Sequence, residues 1–325
     1  MSPIAAQTNH HYFFLLLGCF CIVIGGNIFI PGYANGFSID PQVNLYELWS
    51  NEAAMEIWRD RWTDPVFHKR IILLGLQKGL REQISLPFQG SFNLINLISL
   101  IGIVYFIIKI GRKFYHNTNN ESYSATILFL LALPMVFAFG GYVSSYDDWL
   151  QYWIILVSFY FFYCQEIFWC ALFLLFGTLI RETTFMYGIV FLMLPSNYSF
   201  SKRLLYFGAI MIIFGLIWVQ HGNNAVSWDF LIDNRMNAWK ANLASNRRIV
   251  ESFVCIIWIL AWPVALMLKS KLPDKEKRPF VLLILFNLIL VFTTALIHET
   301  RLLFFSIILI YPMISVRINY NDLRL

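Results

Sequence analysis

Charged side chains are scarce in this sequence. Aspartate, glutamate, lysine and arginine make up 13% of its 325 residues, whereas a soluble domain carries about 25%. Hydrophobic residues make up 58% and aromatic residues 18%. Long continuous apolar runs are typical of membrane-spanning helices. The composition therefore predicts an all-α polytopic membrane protein that forms a single integral membrane domain over residues 1–325.

The sequence also lacks the motifs of soluble catalytic domains. It contains no P-loop, no glycine-rich dinucleotide turn, no Gly-x-Ser-x-Gly and no His-Glu-x-x-His. Its five cysteines form no Cys-x-x-Cys pair, so they predict no zinc site. The predicted cytoplasmic loops are small, which leaves little protein to bind a nucleotide sugar. We therefore expect the energy for any transfer reaction to come from a membrane-borne substrate.

The apolar runs predict about ten transmembrane or half-membrane helices. Two of them, 167–180 and 183–194, are too short for ordinary spans. The segment 32–91 carries tryptophans at helical spacing, which predicts an interfacial amphipathic helix, with packing on the protein's own surface as the alternative. Its later apolar piece, 71–76, predicts a second interfacial or half-inserted helix. The runs are 12–31, 92–110, 124–143, 149–164, 167–180, 183–194, 204–220, 249–268, 280–297 and 302–316.

Lysine and arginine favour one orientation of these helices. With the N-terminus inside, the loops 111–123, 195–203 and 269–279 are cytoplasmic and rich in basic residues, as the positive-inside rule requires. The first run lacks the basic flank of a cleaved signal peptide, so we expect it to be retained. Residues 32–91 and 221–248 become outer loops, of which 221–248 is an exception because it carries four basic residues. The net charge of +5 thus reflects orientation and predicts no nucleic-acid partner.

Three charged turns fall on the outer side in this orientation: Tyr146-Asp147-Asp148, Arg181-Glu182 and His298-Glu299-Thr300-Arg301. This placement requires 167–194 to be two short helices, because one long helix would reverse every later segment. Charges held at membrane depth are costly and commonly mark a functional site. We expect the three turns to form one outward-facing site in a bacterial inner membrane protein.

Two arginines at these turns are suited to a lipid phosphate. A guanidinium binds phosphate through two parallel hydrogen bonds, which makes Arg181 and Arg301 the candidate phosphate-binding residues. The alternative is that Arg181 pairs with Glu182 or Glu299 and holds the helices together. His298, beside Glu299, either shuttles a proton or binds phosphate, or is satisfied by a helix-end carbonyl.

Asp40, Asp147 and Asp148 are the candidate catalytic acids. A carboxylate can act as general base on a sugar hydroxyl, and a close pair can hold a divalent cation. The alternative for Asp40 is a cap of the interfacial helix, and for Asp147 and Asp148 a cap of the helix 149–164. The sequence leaves the metal requirement open.

The chain resembles the membrane glycosyltransferases of the GT-C superfamily, which use polyprenyl-phosphate sugars. The resemblance rests on a first helix followed by a long outer loop with an early acid, Asp40. It rests further on the acidic turn Asp147-Asp148 and on short paired helices around the Arg-Glu turn in 179–184. A late outer turn with Arg301 completes it. The likeness covers most of the chain by topology, through short motifs.

The resemblance implies an inverting sugar transfer at the outer membrane face. Asp40 would deprotonate the acceptor hydroxyl, and Arg181 and Arg301 would stabilise the departing lipid phosphate. Asp147 and Asp148 would orient the acceptor or a cation, and the acceptor would be a glycan, a lipid or a protein. In better-known members an Asp-Glu pair directly follows the first helix. This sequence has no such pair, so Asp60 and Asp64 are alternative bases.

Two other kinds of protein fit the same pattern. An O-antigen-type polysaccharide polymerase or ligase also works at the outer face, and the basic segment 221–248 with Arg235, Arg247 and Arg248 would suit a lipid-linked pyrophosphate. A lipid or glycan transporter, a flippase or a non-catalytic membrane scaffold would also explain broken helices and buried charges. No internal repeat is visible in the sequence, and the charges cluster at one face, which favours the transferase.

Overall fold

The computed structural model describes residues 71–115, 146–221, 256–269, 273–294 and 305–314, with residues 240, 243, 246, 249, 250, 253 and 303. Helices dominate this part and it contains no strand, which confirms the all-α class for these residues. The predicted helices 12–31 and 124–143 lie outside the described residues. So do the predicted interfacial helix with its tryptophans and most of the loop 221–248.

Nine α-helices and three shorter helical turns make up the described part. The 14-residue helix α1 contains the apolar piece 71–76, so a short helix forms there as predicted. The helices are α1 Ile71–Ile84, α2 Phe88–Tyr115, α3 Tyr146–Tyr163, α4 Ile167–Ile180, α5 Tyr187–Met193, α6 Phe200–His221, α7 Trp262–Lys269, α8 Asp274–Thr294 and α9 Ile310–Ile314. The turns are the 3-10 turns Glu182–Met186 and Phe305–Ile307 and the π turn Ile257–Ala261.

Two of these helices are long and apolar enough to cross a membrane. The window Leu94–Gly111 in α2 has a mean hydropathy of 2.2, and Phe200–Ile217 in α6 has 1.7. Only 11% of the α6 window is buried, and its exposed side chains include leucines and isoleucines. A large exposed apolar surface is unfavourable in water and marks a membrane or protein contact. The described part therefore supports the membrane prediction through these two helices.

Helices α2 and α3 pack side by side and run in the same direction. From the start to the end of both helices, Gly102 lies against Trp153, the ring of Phe106 lies 5.6 Å from that of Tyr160, and Lys113 contacts Cys164. A side chain at Gly102 would collide with the Trp153 indole, so glycine allows this close approach. The two helices form a layer, called the helical layer below, and α4 and α5 pack along it. The end of α2 and the start of α3 lie at opposite ends of this layer.

A tight turn reverses the chain between α3 and α4. Gln165 adopts the left-handed conformation with φ 61°. Its N–H donates to the carbonyl of Phe162, and the N–H of Glu166 donates to that of Phe161, each over 2.9 Å. This is the hydrogen-bond pattern of a Schellman helix end. The sequence prediction of a tight turn at 165–166 is confirmed.

The chain reverses a second time at Arg181, so 167–194 forms two short antiparallel segments. The ring of Phe161 stacks on Phe173 in α4, 5.4 Å apart, and Ile154, earlier in α3, lies beside Gly177, later in α4, so α4 runs antiparallel to α3. After the reversal, Tyr187 packs against Phe159 and Phe191 against Phe162, so α5 runs parallel to α3. The prediction of two helices rather than one is confirmed, although the second begins with a 3-10 turn.

Several predicted boundaries are wrong by a turn or more. The predicted helix 280–297 begins at Asp274, because the Pro273 carbonyl accepts the N–H groups of Glu276 and Lys277 and acids in the first turn favour a helix start. The predicted polar loop 195–203 ends early, since α6 begins at Phe200. The predicted continuous helix 302–316 is interrupted, with the 3-10 turn and α9 separated by residues 308–309.

Candidate functional site

A buried ion pair joins two of the three charged turns. Arg181 donates through Nη1 to the Oδ1 atom of Asp148. The Asp148 side chain is 2% exposed and that of Arg181 is 13% exposed. Asp148 lies in the first turn of α3, and Arg181 lies at the break after α4. Because α3 and α4 are antiparallel, the two turns meet at the same end of the helical layer, as the sequence predicts.

Arg181 stands where the helix stops. Its backbone is extended, with φ −153° and ψ 125°, yet its N–H still bonds the Gly177 carbonyl. Its own carbonyl accepts the N–H of Thr184 over 3.0 Å, which begins the 3-10 turn. One arginine thus ends α4, opens the next turn and presents a charge between them.

Gly177 allows the turn to fold back onto α4. A β-carbon there would lie 2.8 Å from the Thr184 methyl group, which is closer than side chains tolerate. The Thr184 hydroxyl donates to the Gly177 carbonyl over 2.9 Å. Because residue 177 has no β-carbon, Thr184 can approach α4 closely enough to form the hydrogen bond that holds the turn.

Gln151 fastens the turn to α3, three residues after Asp148. Its Nε2 atom donates to the hydroxyl of Thr183 over 2.9 Å and to that of Thr184 over 2.8 Å. The Gln151 and Thr184 side chains are buried. Buried amides and hydroxyls are costly unless hydrogen-bonded, so this arrangement favours a single position of the turn relative to α3.

Phe305, which follows the third charged turn in the sequence, packs against α3 and α5 near this site. The Tyr187 hydroxyl donates to the carbonyl of Phe305. The Phe305 ring lies 4.9 Å from that of Tyr187 and 6.5 Å from that of Tyr152, the residue after Gln151. Phe305 is four residues beyond Arg301. The turn with His298, Glu299 and Arg301 itself lies outside the described residues.

The predicted site residues thus have different outcomes. Asp148 and Arg181 are in contact. Glu182 is half-buried and begins the 3-10 turn, and Asp147 lies in the first turn of α3, with its side chain outside the described atoms. Asp40 lies outside the described residues.

The ion pair changes the interpretation of Asp148. Its predicted roles were to orient the acceptor or a cation, or to cap α3, whereas its observed contact is with Arg181. From the sequence, Glu182 and Glu299 were the expected partners of Arg181, and Asp148 was not among them. In the described segments, no group of three or more histidine, cysteine, aspartate or glutamate residues is placed to hold a metal ion.

Sequence reasoning also missed the polar residues around the pair. Gln151 follows Asp148 by three residues in an otherwise apolar helix, which was a usable signal because residues at this spacing share a face.

Arg203 was assigned to a cytoplasmic loop. It is instead buried, and its Nη1 atom donates to the carbonyls of Phe191 over 3.2 Å and Leu194 over 2.5 Å. It closes the end of α5 and belongs to the opposite end of the layer.

The site therefore combines a cation held by a carboxylate with a partly buried polar turn. The carboxylate sets the orientation of the guanidinium, and the threonine–glutamine contacts set the backbone that carries it. A guanidinium has five N–H donors in a rigid fork, which suits it to phosphate as well as carboxylate.

Comparisons with known proteins found no relative of this chain. No protein-family model matches the chain, and neither a curated protein nor a solved structure matches it.

Proposed function

We propose that this chain is a membrane glycosyltransferase that moves a sugar from a polyprenyl-phosphate donor to an acceptor. The proposal keeps the GT-C resemblance of the sequence and assigns the Asp148–Arg181 pair to the donor-phosphate end of the site. The observation that supports it is this buried ion pair, located at the break between two short antiparallel segments.

A buried charge pair needs a reason beyond stability. Replacement of such pairs by well-packed apolar residues is often neutral or stabilising, so an ion pair is weak evidence for a stabilising role. Charged residues in membrane segments commonly line substrate pathways. Arg181 is the more exposed partner, which makes it the member of the pair suited to meet a ligand.

Arg181 would act on the charge that develops on the leaving group. In an inverting transfer, the acceptor oxygen attacks the anomeric carbon and the bond from that carbon to the phosphate oxygen breaks. The electron pair leaves with the polyprenyl phosphate, and a guanidinium held ready for it stabilises the transition state. Asp148 would be a positioning residue that keeps Arg181 in place.

The remaining roles come from the resemblance. Asp40 would accept the proton of the acceptor hydroxyl, so that the reaction ends with a glycoside, a polyprenyl phosphate and a protonated carboxyl group. Arg301 would share the phosphate with Arg181. An acceptor glycan, lipid or protein would enter from the outer face of a bacterial inner membrane, and a divalent cation beside Asp147 remains part of the test below.

The test is a transfer assay in vesicles that contain the full chain. A panel of polyprenyl-phosphate hexoses and pentoses, radiolabelled in the sugar, is incubated with membrane extract as acceptor, with and without a chelator. We expect labelled glycoside to form. Arg181→Gln should lower the rate about 100-fold, the usual cost of removing one oxyanion donor. Arg181→Lys should retain part of the rate because it keeps the charge.

Lys202→Gln is the matched control, since Lys202 is exposed at the other end of the layer. Unchanged transfer in Arg181→Gln would overturn the phosphate role. Loss of product in Arg235→Gln, Arg247→Gln or Arg248→Gln, with Asp40→Asn active, would indicate a polymerase or ligase instead. Movement of the labelled lipid across the bilayer without glycoside would indicate a transporter.

A further inference from the structure

A second cluster of charge lies at the end of the layer opposite Asp148 and Arg181. Lys109 and Lys113 are one helical turn apart on α2, and Tyr160 of α3 lies between them. The Lys109 ammonium lies 4.5 Å from the Tyr160 ring centroid, 5.1 Å from that of Tyr105 and 5.6 Å from that of Phe106. The Lys113 ammonium lies 5.0 Å from Tyr160.

Neutral groups hold both lysines. Lys113 donates to the Tyr160 hydroxyl over 3.3 Å and to the Cys164 sulfur over 3.1 Å. The hydrogen bond to Cys164, followed by that to Tyr160, raises the pKa of Lys113, so its ammonium is charged at neutral pH. In the part of the chain that the structure describes, neither lysine forms an ion pair, and Glu166 in the adjacent turn contacts neither. Among the described residues, two positive charges therefore lie beside one aromatic ring with no carboxylate paired to them.

An apolar stripe on α2 leads to these lysines. Ile98, Ile101 and Tyr105 are all exposed, with 46%, 45% and 52% of their surface accessible. Positions separated by three, four and seven residues share one face of a helix, so this stripe ends at Lys109. At about 1.5 Å per residue, Ile98 and Lys109 are about 16 Å apart along the axis. That length is close to half of the ~30 Å hydrocarbon core of a bilayer.

We propose that this face of α2 binds an anionic phospholipid, with the phosphate bound by the ammonium groups of Lys109 and Lys113 beside the Tyr160 ring and an acyl chain along Ile98, Ile101 and Tyr105. The apolar stripe distinguishes a lipid from a free phosphate, because a soluble anion has no use for it. The site is separate from the proposed transfer reaction and does not depend on it.

The test measures lipid binding to the purified full chain by native mass spectrometry in detergent. Phosphatidylglycerol and phosphatidylcholine are titrated in parallel, and the ratio of their affinities is the readout. We expect the wild type to prefer phosphatidylglycerol. The double variant Lys109→Gln with Lys113→Gln should lose roughly 30-fold of this preference, since each lysine near an anionic surface contributes a factor of about five.

Two further variants separate charge from folding. Lys109→Arg with Lys113→Arg should keep the preference, because the charge is conserved. Lys202→Gln is the control, since Lys202 is an exposed lysine at the same end that lies over the ring of Tyr198, 4.6 Å away. An unchanged preference in the double glutamine variant, or an equal loss in Lys202→Gln, would overturn the proposal. Displacement of the lipid by millimolar inorganic phosphate would overturn the lipid as ligand and assign the site to a soluble anion.

Discussion

The two ends of the helical layer hold their charges in opposite ways. At one end Asp148 and Arg181 neutralise each other between helices, with the carboxylate almost fully buried. At the other end Lys109 and Lys113 lie on the outside of α2 and α3, against aromatic rings. The first arrangement is internally balanced and rigid. Within the described segments, the second carries two positive charges without an ion-pair partner, and Lys113 is exposed.

The difference follows from what a low-dielectric environment permits. A buried ion must be paired, because an isolated one costs several kcal/mol even after relaxation. A lysine near a helix end has another option, since its long stem can lie on apolar surface while the ammonium reaches the interface. Pairing is therefore expected of a charge between helices, and aromatic contacts are expected of a lysine near a helix end.

The largest expected effect is in side-specific labelling. In a cysteine-free background, single cysteines at 147 and 182 should label with a membrane-impermeant thiol reagent from the same side of intact cells. Cysteines at 166 and 202 should label only from the opposite side, because the structure places the 165–166 turn and Tyr198 together at the other end. Labelling of 182 from the same side as 166 would contradict the second reversal, and with it a single site for the charged turns.

The ion pair should be far more sensitive than the lysine cluster in unfolding experiments. Arg181→Gln or Asp148→Asn alone should lower the free energy of unfolding by about 3–5 kcal/mol, because each leaves a buried charge without its partner. Lys109→Gln should cost only about 0.5–1 kcal/mol, the usual contribution of exposed cation–π contacts. Unfolding by sodium dodecyl sulfate in mixed micelles, followed by circular dichroism, gives both values.

The double variant Asp148→Asn with Arg181→Gln is the decisive control. If the cost of each single variant is an uncompensated charge, removing both charges should restore most of the lost stability. Additive losses would mean that the two side chains act separately, and the contact between them would then have no energetic significance.

Sequence reasoning predicted the helices and their reversals better than the contacts. The hairpin at Gln165 and the break at Arg181 were predicted because polar residues interrupt apolar runs, and a membrane segment exposes such interruptions clearly. The partner of Arg181 was missed because Asp148 is 33 residues away, and only the antiparallel packing of α3 and α4 brings them together. Hydropathy gives the direction of each segment and does not give its rotation about its own axis.

The same limit explains the boundary errors and the second cluster. Helix α8 begins among charged residues, because acids in the first turn favour a helix start, whereas a hydropathy reading assigns them to a loop. Lys109 was counted inside an apolar span. Its significance depends on Tyr160, which parallel packing of α2 and α3 places beside it.

The smallest expected effect concerns the turns, where two non-glycine residues adopt positive φ. Ser85, after α1, has φ 56°, and Gln165 has φ 61°. The left-handed region costs an ordinary residue about 1 kcal/mol relative to glycine, so Ser85→Gly should stabilise the protein by about 0.5–1 kcal/mol. Gln165→Gly relieves the same strain but removes an acceptor, because the Gln165 side-chain oxygen accepts the N–H of Asn197 over 3.1 Å.

The two effects at Gln165 should nearly cancel, since a hydrogen bond of this kind contributes about 1 kcal/mol. The comparison of Ser85→Gly with Gln165→Gly in the same unfolding assay therefore measures the contact between the Gln165 side chain and residues 196–197. Equal stabilisation by both glycines would show that this contact contributes nothing to the stability of the protein.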